Sequence, residues 1–463
     1  MKLSFHGADQ DVTGSCHLLE CANKRILIDC GLFQGSRELS DDNADEFGFD
    51  AASIDFVLLT HAHLDHCGRL PLLVKRGFTG EIITTSATRE LARVVLLDAA
   101  HLQEEEALRN TRRRSRRNNG NNHGNGNALY TMLDAMRTFD YFGRNARYNQ
   151  RIDLAPGVSV TYYDAGHILG SASLRVEHVD NGTTKSIVFS GDLGNSGRPL
   201  LRDPAPPPHA DAVVMETTYG DRLHRSLKDS VTELYSAIND TFQRGGNVII
   251  PTFALERAQE ILFYLREGVE QKKLSGSMQV FLDSPMAISA TEIFSRHPEC
   301  YDEHSLAMFK SGRDPFALHG LHMSREASDS MSLNRIAGGA IIMAGAGMCT
   351  GGRIRHHIKH NIWRADSSMV FVGYAAAGTL ARRIIDGAKY IELFGEQIPV
   401  RSKIYTINGF SAHADRDELL AWHRAIKPNT TFLVHGDNEV MNSFAKLLPG
   451  TVLMPQRDSS FEI

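Results

Sequence analysis

The 463-residue sequence predicts an α/β protein of two domains, one inserted within the other. Three observations predict this. Short apolar runs closed by Asp or Gly recur through the first 220 residues. From 221 the rhythm changes to strand, Gly-rich turn and helix, and after 394 the chain returns to apolar runs that end in histidine. The expected domains are therefore 1–220 and 394–463 for the outer fold and 221–393 for the insertion. A chain this long also exceeds what one hydrophobic core usually holds.

In the outer domain, "KRILIDCG", "SIDFVLLT" and "SIVFSGDLGN" are runs of the length and composition of buried strands. "VSVTYYDAGHILGSASLRVEHV" reads as two strands around a loop that carries His167, and "SATRELARVVLLDAAHLQEEEALRN" as a helix. "RRRSRRNNGNNHGNGN" has no apolar periodicity, so 111–127 is expected to be a mobile loop. Its five arginines within 112–117 suit phosphate without base preference. "DPAPPPHAD" at 203–211 is a Pro-rich connector. In the insertion, "GGNVIIPTFALERAQEILFYLREGV", "MQVFLDSPMA", "GGAIIMAGAGM" and "SSMVFVGYAAAGTLARRIIDG" repeat a strand–turn–helix unit, the signature of a parallel sheet.

Composition excludes several classes. Hydrophobic residues at 42% and charged residues at 23% are those of an ordinary globular chain. A net charge of −5 selects no partner, but the basic stretches "RNTRRRSRR" and "RIRHHIKH" leave room for a local polyanion groove. The six cysteines form no CxxC pair, which argues against a disulfide framework and fits a reducing compartment. No apolar signal core and no run near the ~20 residues of a membrane span is present, so a cytoplasmic protein with no membrane partner is expected.

The chemistry concentrates in "THAHLDHCGRLP", residues 60–71, straight after an apolar run. In an extended loop, residues i and i+2 face the same way, so His61 and His63 can address one ion. Asp65 and His66, at the start of the next helix, can address a second. Imidazole and carboxylate suit Zn²⁺, with Mn²⁺ or Fe as competitors. One segment cannot fill two ions. His167 in "DAGHILGS", Asp192 in "FSGDLG" and His435 in "LVHGD" supply further ligands at other strand ends, and a carboxylate such as Asp192 can bridge.

This order, HxHxDH, then His167, then Asp192, resembles that of the metallo-β-lactamase fold, an αββα sandwich. Asp29 after "ILI" matches that fold's first motif, where the Asp supports the ligands from behind. "METTYG", "PTFALERAQE", "DSPMA", "GMCTGGR", "GYAAAGTLARR", "GFSAHAD" and "VHG" are similar to the β-CASP branch, in particular to bacterial and archaeal relatives of the cleavage and polyadenylation endonuclease. The resemblance covers nearly the whole chain and makes the insertion a β-CASP domain. The family's motifs A, B and C fall on Glu216, His413 and His435, and a His at motif C goes with RNA rather than DNA.

The resemblance implies a ribonuclease with two zinc ions. His61, His63, His167 and Asp192 hold one; Asp65, His66, Asp192 and His435 hold the other. Asp65, Glu216 and His413 are the catalytic groups. His413 protonates the leaving 3′-oxygen and Glu216 orients its ring, giving 5′-phosphate and 3′-hydroxyl ends. Arg257, Arg353 and the backbone at Gly378 and Thr379 are candidate RNA contacts. Homodimers are common in the family. Three rivals are a small-molecule hydrolase of the same fold, a DNA nuclease and a non-catalytic RNA-binding subunit. The first has no use for so long an insertion, His435 disfavours the second, and the third usually loses ligands that are all present here.

Overall fold

The structure, a computed structural model, describes residues 1–35, 42–117 and 128–463, with the side chains of 112–117 excepted. The chain divides into two compact units: Met1–Ser196, Asp203–Leu223 and His413–Ile463 form the first, and Gly197–Arg202 with His224–Ala412 the second.

The first unit holds two seven-stranded sheets. From edge to edge, one runs Ser460–Glu462, Lys2–Phe5, His17–Cys21, Lys24–Ile28, Phe56–Leu58, Glu81–Thr85, Phe142–Ala146. The other runs Thr451–Leu453, Thr430–Val434, Ala212–Glu216, Thr183–Phe189, Ala172–Asp180, Val158–Asp164, Arg151–Ala155. Alternate residues of each strand face the space between the sheets. Leu3, Phe5, Ile26, Ile28 and Leu58 from one meet Val160, Tyr162, Leu174, Val176 and Phe189 from the other in one buried core. The opposite face of the second sheet buries Val188, Val213, Met215 and Leu433 against Leu419, Trp422, Met441 and Phe444 of the helices Arg416–Ile426 and Asn438–Ala445. The helix Ser86–Arg117 lies against the first sheet. The layers are thus helix, sheet, sheet, helix, as expected.

The second unit carries a six-stranded parallel sheet in the order Leu321–Met323, Gln279–Leu282, Ala340–Ala344, Val248–Pro251, Ser368–Val372, Lys403–Ile407. Its inner strands Ala340–Ala344, Val248–Pro251 and Ser368–Val372 are buried on both faces, which is why they read as unbroken apolar runs such as "AIIMA". The helices Leu227–Gln243, Arg257–Glu270 and Ile354–Asn361 follow or precede them.

Two expectations differ from what the chain does. The second unit continues to Ala412, past 393, because Lys403–Ile407 pairs in parallel with Ser368–Val372. Periodicity identifies "KIYTI" as a strand but not the sheet it joins, and 393 falls at the first half of the hairpin Tyr390–Leu393 with Glu396–Pro399. Second, the expected loop at 111–127 opens as helix: Ser86–Arg117 runs through its arginines, good helix formers that need no apolar face when solvated. Residues 118–127 lie outside the described residues.

Candidate metal and catalytic centre

The site sits where strands of the first unit end. Parallel strands deliver their carboxyl ends to one edge, and ligands collect there. Lys24–Ile28 delivers Asp29, and Phe56–Leu58 delivers His61 and His63. Thr183–Phe189 delivers Asp192, Ala212–Glu216 ends in Glu216 itself, and Thr430–Val434 delivers His435. His63 caps the short helix Leu64–Cys67, which turns Asp65 and His66 back to the same place. His167 arrives on the loop between Val158–Asp164 and Ala172–Asp180. Two glycines permit the crowding. A Cβ on Gly31 would meet the Asp65 carbonyl oxygen at 1.6 Å, and one on Gly194 the Gly166 carbonyl oxygen at 1.9 Å.

The seven ligand candidates form two groups around one carboxylate. His61 Nε2 lies 3.2 Å from His63 Nδ1, which lies 3.1 Å from His167 Nε2. Asp192 Oδ2 faces this group, 3.4 Å from His61 and 3.6 Å from His167. Asp192 Oδ1 faces the other, 3.2 Å from His66 Nε2, while His435 Nε2 lies 3.5 Å from Asp65 Oδ2. The donor atoms of His61, His63, His167 and Asp192, and those of Asp65, His66 and His435, each fall within 4.8 Å of one another. Asp192 therefore offers one oxygen to each group.

The residues fit a pair of cations. Among the described residues, His66 Nε2, His435 Nε2 and Asp192 Oδ1 are buried polar atoms with no hydrogen-bond partner, all aimed into the cluster. Burial and neighbouring imidazoles lower the pKa of His61 and His167, and that of His63 to about 3, so these rings present lone pairs rather than protons. Burial opposes charge on His66 and His435 too, but Asp192 with Asp29 and Asp65 outweighs it and raises both. A cation bound there displaces protons. Two His and Asp sets of this kind suit zinc.

Behind the ligand candidates lies the sequence-predicted Asp29. Its Oδ2 accepts from His66 Nδ1 at 2.7 Å and from Thr60 Oγ1 at 2.8 Å, and its Oδ1 from the Thr60 amide at 2.8 Å. That fixes His66 with Nε2 towards the cluster. Thr60 Oγ1 also lies 3.0 Å from His61 Nδ1, and Thr218 Oγ1 lies 3.1 Å from His435 Nδ1. Sequence reasoning missed both threonines. Thr60 directly precedes His61 and Thr218 lies two residues after Glu216, and only folding shows which ring each hydroxyl holds.

His413 and Glu216 stand at the rim. His413 Nδ1 is 3.3 Å from both Glu216 oxygens, and its ring centroid is 4.5 Å from that of His167. Glu216 is buried and accepts from the Leu193 and Thr218 amides, whereas the His413 side chain is 21% exposed. Burial opposes charge on the His413 ring, but Glu216, then Asp192 and Asp65, outweigh it and raise its pKa to about 9. The donors of Asp192, Glu216 and His413 also lie within 4.8 Å of one another, so ligation by His413 is a geometric alternative to proton donation.

The four candidate RNA contacts belong to the second unit. Arg257 is buried and ion-paired to Glu260. Arg353 Nη1 donates to Asp283 Oδ1 at 2.7 Å and to the Ser324 carbonyl at 2.9 Å. Gly378 has φ +80 and open space around it, and Thr379 caps the helix Leu380–Ile385.

Comparison with known proteins agrees with this architecture. The metallo-beta-lactamase superfamily model matches residues 10–252, the Beta-Casp domain 258–384, and the "Zn-dependent metallo-hydrolase RNA specificity domain" 397–452. A protein named as a ribonuclease from Thermus thermophilus is 38% identical, over 97% of this chain and 96% of its own. The transcription termination factor FttA of Methanothermobacter thermautotrophicus is 34% identical, over 94% of this chain and 67% of its own. A solved structure of a protein of unknown function from Enterococcus faecalis shares the fold, with a TM-score of 0.56 at 13% identity over 99% of both chains. Fold and site define a metallo-β-lactamase-type hydrolase with an inserted domain. The chain belongs to the β-CASP family of that superfamily.

Proposed function

We propose that this protein is a zinc-dependent ribonuclease that hydrolyses phosphodiester bonds to 5′-phosphate and 3′-hydroxyl ends. The observation that carries the proposal is the division of the Asp192 oxygens between two ligand groups, with the His413–Glu216 pair beside them. His61, His63, His167 and Asp192 would hold one zinc, and Asp65, His66, Asp192 and His435 the other. Bound zinc supplies Lewis acidity towards phosphate oxygens and lowers the pKa of water. His413, held protonated by Glu216 and partly exposed, is placed to give its proton to the leaving 3′-oxygen. Asp29, Thr60 and Thr218 keep the ligand rings from turning. In the second unit, the open backbone at Gly378 and Thr379 and the remaining face of Arg353 are the proposed phosphate contacts, while Arg257 acts from inside as a support.

Family membership, the matched RNA specificity domain and the ribonuclease relative support RNA as substrate. Among the described residues no helix is long and apolar enough to cross a membrane, which accords with the cytoplasmic location we propose. The test is one assay panel of labelled RNA, labelled DNA and a chromogenic β-lactam, with and without chelator. Chelator-sensitive cleavage of RNA alone is expected. Turnover of the β-lactam alone would overturn the proposal in favour of a small-molecule hydrolase, and preferential cutting of DNA would replace the substrate.

A further inference from the structure

A second group of exposed aromatic and basic side chains lies in the second unit. The helix Ile354–Asn361 is followed by Trp363, which is 49% exposed. The hairpin Tyr390–Leu393 with Glu396–Pro399 carries Phe394 at its turn, 47% exposed. These rings face outward because the inward positions are filled: Ile391, Leu393 and Ile398 are buried with Ile354 and Ile358 of the helix. Phe394 in turn organises cations. Its ring stacks on His356 at 4.6 Å, with the Arg355 guanidinium 4.9 Å and the Lys359 ammonium 5.9 Å from its centroid. Beside it opens a groove of about 370 Å³ lined by Lys359, His360, Trp363, Glu396, Pro399 and Arg401.

The placement separates this groove from the phosphate contacts proposed above. The helix begins beside Arg353, which is tied to Asp283 at the carboxyl end of Gln279–Leu282. Trp363 lies past the helix's other end, ~15 Å further along at 1.5 Å per residue. Arg401 lies two residues before Lys403–Ile407, at the amino end of a parallel strand. The groove therefore occupies the amino edge of this sheet, opposite the edge that carries Asp283.

We propose that this groove is an auxiliary site for single-stranded RNA, in which a base stacks on Trp363 and a flanking phosphate meets Arg401. An exposed indole beside several cations is the combination that holds single strands without reading their sequence. Glu396, paired with Lys359 at 2.6 Å, is the one acidic side chain lining the groove among the described residues. The inference rests on the RNA reading for its choice of polyanion.

The chain has two tryptophans, and the other, Trp422, is buried, so a Trp422→Phe background leaves Trp363 as the one emitter and acrylamide reaches it directly. The experiment adds a phosphorothioate oligouridylate of about 12 nucleotides, within the span such sites occupy, to the zinc-loaded full-length protein. Quenching of Trp363 emission and its shielding from acrylamide are expected. Trp363→Ala should weaken binding ~5–100-fold by labelled-RNA anisotropy, the range of one lost stack. Arg401→Gln should flatten the plot of log affinity against log salt by ~0.7. Either variant should raise KM for a long RNA and leave kcat unchanged. Unchanged Trp363 emission at saturating RNA would overturn the site. Shielding that grows with protein concentration and no RNA would assign the face to a second copy and overturn it as well. Quenching by RNA in a protein that cleaves none would sink the nuclease reading and leave this one standing.

Discussion

At the scale of single residues, some side chains are placed to hold cations and others hold those side chains. Asp29 is of the second kind: it binds His66 and Thr60 and offers nothing to the cluster itself. Asp29→Ala should lower zinc affinity ~10–100-fold, the usual cost of losing such a support, with the fold retained by circular dichroism. Competition against a chromogenic chelator measures it. His413 gives a pH prediction. Its pKa of about 9 means that the ring is the proton-bearing acid below that pH and loses the proton above it. Cations bound nearby pull the limit down, and Glu216→Gln, which removes the leading favourable charge, should pull it lower still. The alkaline limb of kcat/KM should shift to lower pH in Glu216→Gln; an unmoved limb would show that the titrating group is elsewhere. The cluster was legible in the sequence because HxHxDH is compact and follows a strand. Thr60 and Thr218 were not, since a threonine beside a motif carries no mark of the ring it will hold.

At the scale of elements, the second unit is tied together by one buried carboxylate. Asp283, at the end of Gln279–Leu282, accepts from Ser330 Oγ at 2.6 Å and Arg353 Nη1 at 2.7 Å, and pairs with His357 Nε2 at 2.6 Å. A strand and the helices Ala327–Leu333 and Ile354–Asn361 thus share one anchor. Burial opposes its charge, but His357, Ser330 and Arg353 outweigh it and hold the carboxyl below its ordinary 3.8. The stability it supplies is present above that value and is lost as pH falls through the depressed one. Asp283→Ala should cost ~3–5 kcal/mol, because it strands buried partners; urea unfolding monitored within the second unit measures it, and a cost under ~1 kcal/mol would contradict the anchoring role. "DSPMA" marked this segment by resemblance, while the residues that meet Asp283 lie far along the chain and share no pattern with it. Element type was legible from period and composition where an apolar pattern existed, and failed at the arginines of 112–117, which have none. Membership was not: "KIYTI" satisfies the strand pattern equally well in either unit, and pairing with Ser368–Val372 decides.

At the scale of the whole molecule, a two-sheet sandwich brings strand ends from across the chain to one edge, so that residues from Asp29 to His435 share a centre. The order of ligands along the sequence was readable because each follows an apolar run. The sharing of Asp192 between two groups needed the fold, since a lone "SGDLG" does not say which way either oxygen points. The central claim is that seven side chains hold two cations and that His413 stands outside them as the proton donor. The direct test is metal content together with rate for His413→Ala. The account predicts two zinc ions per chain by elemental analysis, as in the wild type, with RNA binding intact and cleavage slowed ~10²–10⁴-fold, the usual share of a positioned acid. Loss of a zinc from His413→Ala would contradict it and move His413 into the metal shell with Asp192 and Glu216.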